Sequence, residues 1–169
     1  MMTHSLFRRI AESTKWMKTI ILCPLHIPHM FCYFAGGGKS AINQDIRRYQ
    51  VHFKQKGGSW LYLLYLLAND KYYRQVFYNR IGAVAQILIR WYRPGEQYFI
   101  IPKSLEIGGG CIVFHPFSTI LNAEKIGSNF SCAHCTTLGF GKNGRPTIGN
   151  NVALGSNVTI MAVLPLVTT

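Results

Sequence analysis

The sequence predicts an α+β chain, an N-terminal α-helical segment followed by a parallel β-helix of hexapeptide repeats, and three observations carry that prediction. Apolar residues recur at helical spacing between Ile42 and Arg93. Beyond Pro94 the aliphatic residues change to a period of six. Glycine follows the repeating aliphatic in Ile107-Gly108, Ile126-Gly127, Leu138-Gly139, Ile148-Gly149 and Leu154-Gly155.

Composition narrows the class further. Of 169 residues, 49% are hydrophobic and only 14% charged, which excludes intrinsic disorder as the whole answer. No run of 18 uninterrupted apolar residues is present, so a polytopic membrane protein is excluded too. The five cysteines are odd in number and lack a secretory spacing, which makes a cytoplasmic location the expectation. The net charge of +12 is uneven, with 14 basic and 4 acidic side chains in residues 1–100 against 4 and 2 in the rest. The first half is therefore the part drawn to anionic partners.

Residues 1–40 read as a hydrophobic, basic arm ending in a Gly-rich linker. Within it, Thr19 to Phe34 holds no Asp, Glu, Lys or Arg but is broken by Pro24 and Pro28 and is too short to span a bilayer comfortably. Packing on the helices or on a neighbouring subunit is the expectation, with a weak membrane contact by residues 16–34 as the alternative. Gly36-Gly37-Gly38-Lys39-Ser40 looks like the end of a phosphate-binding loop, but Tyr33 stands where its first glycine belongs, so a linker is preferred.

Residues 41–95 read as a helical domain of two or three amphipathic helices, marked by Trp60, Leu63, Leu64 and Leu67 and then Ile81, Val84, Leu88 and Trp91. Gly57-Gly58 makes a break with Ser59 as N-cap, Asn69-Asp70 starts another helix, and Pro94-Gly95 stops the last. Basic helices with interleaved Tyr and Trp carry no nucleic-acid-binding motif, and no nucleic-acid partner is expected.

Residues 96–160 carry the six-residue series Ile101, Ile107, Val113, Ile120, Ile126, Cys132, Leu138, Ile148, Leu154, Ile160. It predicts one extra residue around Phe117–Thr119 and four within Phe140–Pro146. Insertions in a solenoid become surface loops that often carry the site, so Gly139 to Pro146 is the first place to look.

The strings Ile107-Gly-Gly-Gly-Cys-Ile-Val-Phe-His115-Pro, Glu124-Lys-Ile-Gly, Thr136-Thr-Leu-Gly-Phe-Gly-Lys142 and Pro146-Thr-Ile-Gly-Asn-Asn-Val152 resemble serine O-acetyltransferase and its hexapeptide-repeat relatives over residues 98–160. The resemblance implies a left-handed β-helix, a homotrimer, and transfer of acetyl from acetyl-CoA to a hydroxyl without a metal. It further implies His115 as general base, with His134 in reserve. Imidazole suits the role because its ordinary pKa lies near neutrality. Gly139 and Gly141 would supply backbone N–H groups to the oxyanion, Lys142 would hold CoA phosphates, and Arg145 would bind a substrate carboxylate.

This chain departs from the serine-specific pattern. Phe114 stands where an aspartate precedes the histidine, Phe99-Ile-Ile-Pro102 replaces Asp-Ile-His-Pro, and Gly144-Arg145-Pro146 replaces Arg-His-Pro. Groups that would orient His115 and hold the serine ammonium are missing. The acceptor thus stays open between L-serine, in cysteine biosynthesis, and a sugar hydroxyl of a surface polysaccharide.

Cys132-Ala-His134-Cys135 has the spacing of half a zinc site, but no second pair exists and Cys132 falls in the inward series, so no metal is expected. Residues 161–169 form an off-pattern tail. Codons ATG GCG GTA TTG CCA TTG GTG ACA ACG would encode Met161 to Thr169, and read two bases later they give Gly-Gly-Ile-Ala-Ile-Gly-Asp-Asn, the next coil of such a repeat. The expectation is a C-terminally truncated relative whose tail arises from a frameshift, and an inactive remnant is the reading from another class.

Overall fold

The computed structural model describes residues 2–162. Helices α1 (Met2–Leu22) and α2 (Ile27–Ala35) flank a 3-10 turn (Cys23–His26), and α3 (Lys39–His52), α4 (Ser59–Asn69), α5 (Lys71–Arg80) and α6 (Ala83–Arg90) follow. Pro24 and Pro28 sit in the first turns of the 3-10 segment and of α2, where a missing N–H costs least, so they do not interrupt the run. The stretch expected as an arm is thus regular helix, and only Gly36 to Gly38 link it to α3. Its inner face carries Trp16, Thr19, His26, His29 and Tyr33, at helical spacing. Trp16 packs on Tyr65 with ring centroids 4.9 Å apart, and His29 bonds Tyr78 Oη at 3.0 Å.

Asp70 starts α5 as expected, its carboxylate accepting from the amides of Tyr72 at 2.9 Å and Tyr73 at 3.0 Å. Ser59 does not cap α4; Gly58 occupies that position and no side chain bonds the end.

The second half is a parallel β-solenoid of about three turns. One face stacks β1 (Phe99–Ile100), β4 (Thr119–Leu121), β7 (Thr137–Gly139) and β10 (Thr159–Met161). The second stacks β2 (Glu106–Ile107), β5 (Lys125–Ile126) and β8 (Thr147–Ile148); the third stacks β3 (Ile112–Phe114), β6 (Ser131–Ala133) and β9 (Ala153–Leu154). Phe99, Leu121, Ile126, Phe130, Cys132 and Leu138 fill the narrow interior. Met161 still pairs with Gly139 in β10; the tail beyond residue 162 lies outside the described residues.

The register corrects one expectation. Ile120 is 39% exposed, whereas Leu121 is 0% exposed and pairs with the buried Leu138. The step from Val113 to the next inward residue is therefore eight, two beyond the repeat, and the step from Leu121 to Ile126 is five. The extra residues form the corner at His115 to Ser118, where both named residues adopt left-handed backbone, φ 48° and 51°.

At the corner leading into the third face the left-handed positions are Gly110, Asn129 and Asn151, one above another, and Asn tolerates that conformation. Gly127, one residue after its inward isoleucine, is needed for closeness: a Cβ there would lie 2.6 Å from the Gly149 carbonyl carbon and 2.7 Å from the Asn150 amide.

The helices cover the open edge of the first coil. Cys111 N–H donates to Asp45 Oδ1 at 2.7 Å and Val113 N–H to Tyr49 Oη at 3.2 Å. Arg48 donates to the carbonyls of Gly110 and Phe130, and Arg80 to those of Ile107 and Gly108. Backbone groups that would otherwise be buried without a partner are satisfied by α3 and α5. The two hydrophobic cores interlock as well, since Val76 of α5 belongs to the solenoid core and Ile112 of β3 to the helical one.

Candidate functional site

His115 follows β3 in the two-residue insertion, and its left-handed backbone is extra to the repeat. Phe117 N–H turns back to the His115 carbonyl at 2.6 Å, and Pro116 is buried beneath, which fixes the corner. The imidazole is exposed and meets Tyr72 edge to face, with ring centroids 6.2 Å apart. It opens on a cleft of about 690 Å³ between the helices and the first coil, whose lining includes Lys15, Lys18, Tyr65, Asp70, Tyr72 and Arg93.

Asp70 supplies negative charge on this wall. Burial pushes its carboxyl pKa up, while the amides of Tyr73 and Tyr72, then Arg74 and His115, draw it back down. The cleft wall thus carries a carboxylate although the residue before the histidine is Phe114. Sequence reasoning read Asp70 only as a helix start; its capping role hid a second one, because nothing local says that the first turn of α5 lies beside a corner more than forty residues later. Tyr72 was missed for the same reason.

The reserve base, His134, lies on the same edge of the prism one coil further on. Its Nδ1 is 3.2 Å from Ser156 Oγ, and its carbonyl accepts from Asn157 N–H at 3.2 Å. Cys135 N–H donates to the Phe117 carbonyl at 2.9 Å, tying the His134 corner to the His115 corner. Cys132 lies in the core, where burial pushes its thiol up to about 12, and Cys135 turns the corner at φ 56°. Among the described residues, no three His, Cys, Asp or Glu side chains gather as metal ligands.

The loop of Gly139 to Pro146 connects β7 to β8 and so occupies a different edge of the prism from His115, which connects β3 to β4. Gly141 and Gly144 exchange backbone hydrogen bonds of 2.8 and 3.2 Å, closing a small hairpin with exposed Lys142 and Arg145. The Gly141 amide is therefore engaged with Gly144 rather than free for an oxyanion. Gly141 also lies against Ala162, whose carbonyl oxygen would be 1.8 Å from an added Cβ. A single chain thus gathers Lys142, Arg145 and the glycines in one place and His115 in another. No protein-family model matches this chain, and no curated protein does either.

Proposed function

We propose that this chain is an acetyl-CoA-dependent O-acetyltransferase with His115 as general base. The observation that supports this most is the placement of His115: an exposed imidazole on an inserted, left-handed corner, edge to face with Tyr72 and facing a cleft that Asp70 also lines. Strained backbone outside the repeat register needs a reason, and a positioned base is one.

In this reading His115 accepts the proton of the acceptor hydroxyl as its oxygen bonds to the acyl carbon. The carbon–sulfur bond then breaks, and the imidazolium returns its proton to the thiolate. Tyr72, edge to face with the ring, limits its rotation, and Asp70 lines the same cleft. Lys142 holds donor phosphates as a point charge, and Arg145 meets an anionic group of substrate or donor. Because the loop and His115 occupy different edges, the reading calls for a homotrimer in which one copy's loop approaches another copy's His115.

Two acceptors are kept. L-serine follows from the resemblance. A sugar hydroxyl is favoured by the cleft, whose volume of about 690 Å³ exceeds what serine needs. We place the reaction in the cytoplasm.

The test is thiol release from acetyl-CoA by the full chain, offered L-serine and then a panel of sugars. The proposal expects release that depends on an acceptor and falls by about 10²–10⁴-fold in His115→Ala. No release with any acceptor from folded protein would overturn it and favour the inactive remnant.

A further inference from the structure

The helical half carries a second surface that the acetyl-transfer reading does not use. From Ile10 to Phe34, α1, the 3-10 turn and α2 expose Ile10, Met17, Ile20, Ile27, Phe31 and Phe34 at steps of three, four or seven residues, with Ile21 beside Ile20. That is one stripe along a helical rod, opposite the buried face of Trp16, Thr19, His26, His29 and Tyr33. Beside it α6 exposes Val84, Ile87, Leu88 and Trp91, again at helical spacing, with Val84 76%, Leu88 65% and Trp91 78% exposed. The two are joined by an apolar groove of about 830 Å³, in which Ile27 and Phe31 face Val84 and Leu88. Isolated exposed apolar residues are ordinary, but a continuous sheet of them over three elements is not.

Charge selects the occupant. Residues 13–44 and 71–95, which hold nearly all of this surface, contain no Asp or Glu. Lys15 and Lys18 of the first segment turn to the His115 cleft, but exposed Lys39 lies 5.3 Å from the centre of the Phe34 ring, and half-buried Arg90 ends α6 beside Trp91. A second copy of this chain would bring an equally basic rim against this one, whereas an anionic surface would be attracted. Among the described residues no single helix is long and apolar enough to cross a membrane; the pair Ile10–Ala35 and Lys39–His52 is so only when taken together, and it is bent by 116°. Length, charge and the one-sided stripe agree with a helix pair lying in the plane of an interface.

We propose that the face formed by α1, α2 and α6 docks on an anionic lipid bilayer, with Ile20, Phe31, Leu88 and Trp91 entering the acyl boundary and Lys39 and Arg90 at the headgroups. Long basic side chains suit that division, with methylenes against apolar surface and the charged head in water. Trp91 combines an apolar ring with an N–H, the combination favoured at such boundaries.

The test is co-sedimentation of the full chain with vesicles of phosphatidylcholine alone and with vesicles containing about 30% phosphatidylglycerol, following tryptophan emission in parallel. Binding to the anionic vesicles, weakened by salt, is expected, with an emission blue shift that Trp91→Phe reduces. Phe31→Asn/Leu88→Asn alters exposed positions only, so circular dichroism should be unchanged while partitioning falls about tenfold or more. Lys39→Gln/Arg90→Gln should lower partitioning to anionic vesicles alone. No binding to either vesicle, or binding that neither double variant changes, would overturn the proposal. So would apolar variants that change only the oligomeric state in lipid-free buffer, which would assign the face to a second copy.

Discussion

Asp45 on α3 and Arg80 on α5 form an ion pair, Nε to Oδ2 at 3.0 Å and Nη2 to Oδ1 at 3.1 Å, with both side chains almost wholly buried. Each also serves the solenoid: Asp45 accepts from Cys111 N–H, and Arg80 donates to the carbonyls of Ile107 and Gly108. Burial pushes the Asp45 pKa up to about 6 despite Arg80, so the pair is ionic at neutral pH.

Removing one member strands the other charge away from water. Arg80→Ala is expected to cost about 3–5 kcal/mol, read as a lower midpoint in urea denaturation. Asp45→Asn, which keeps an acceptor for Cys111 N–H, should cost less than Asp45→Ala. Equal costs would mean that the Cys111 bond contributes nothing.

His26 and His29 predict acid sensitivity. Burial lowers the pKa of His26 to about 3, with His29 adding to the effect, and lowers that of His29 to about 4. Both fold neutral, so their contribution is complete above the unfolded value near 6.5 and is lost as pH falls from there toward about 4 and about 3. At about 1.4 kcal/mol per pKa unit the loss is on the order of 3 kcal/mol for His29 and larger for His26. Among the described residues neither nitrogen of His26 has a hydrogen-bond partner, so His26→Leu should flatten the pH dependence of thermal unfolding between pH 6.5 and 4. An unchanged slope would exclude His26 as a cause.

Coil spacing can be probed at glycine. Gly127→Ala places a methyl against the backbone of Gly149 and Asn150, which cannot yield without separating the coils; about 2 kcal/mol or more of destabilisation is expected. Gly37→Ala, with nothing within 4 Å of its Cβ, should shift the unfolding midpoint little. Similar midpoints for the two variants would show that the stacking is not tight at Gly127.

The two core thiols should be inert. Burial pushes Cys111 and Cys132 upward, Cys132 to about 12, leaving almost no thiolate at neutral pH. Iodoacetamide with mass-spectrometric mapping should label neither until the chain is unfolded. Labelling of Cys132 in the native state would mean that the solenoid opens locally at β6.

The solenoid was legible because a six-residue period survives mutation of its outward positions, and the long loop after Gly139 was found by counting. Ile120 was misplaced because counting sees only the sum of an expansion and a contraction: two residues gained before Thr119 and one lost before Ile126 look like one. His115 was marked by its motif, but its neighbours were not. Asp70 and Tyr72 reach it through the docking of α5, a contact with no local trace in the chain. Helicity of residues 2–35 was hidden by Pro24 and Pro28, which break a helix in its middle and suit it at its start.

The bonds from α3 and α5 to the first coil have a temporal consequence. Helices form from neighbours along the chain, whereas Cys111 meets Asp45 across 66 residues and Phe130 meets Arg48 across 82. The helical unit is therefore expected to assemble first and to serve as the spool on which the strands wind, each turn finding its edge prepared by the one before. Winding in one direction from a prepared end leaves only one growing rim open to stray chains at any moment. A fragment beginning at Pro94 would have no such starting point, and its own first coil would become the template for aggregation.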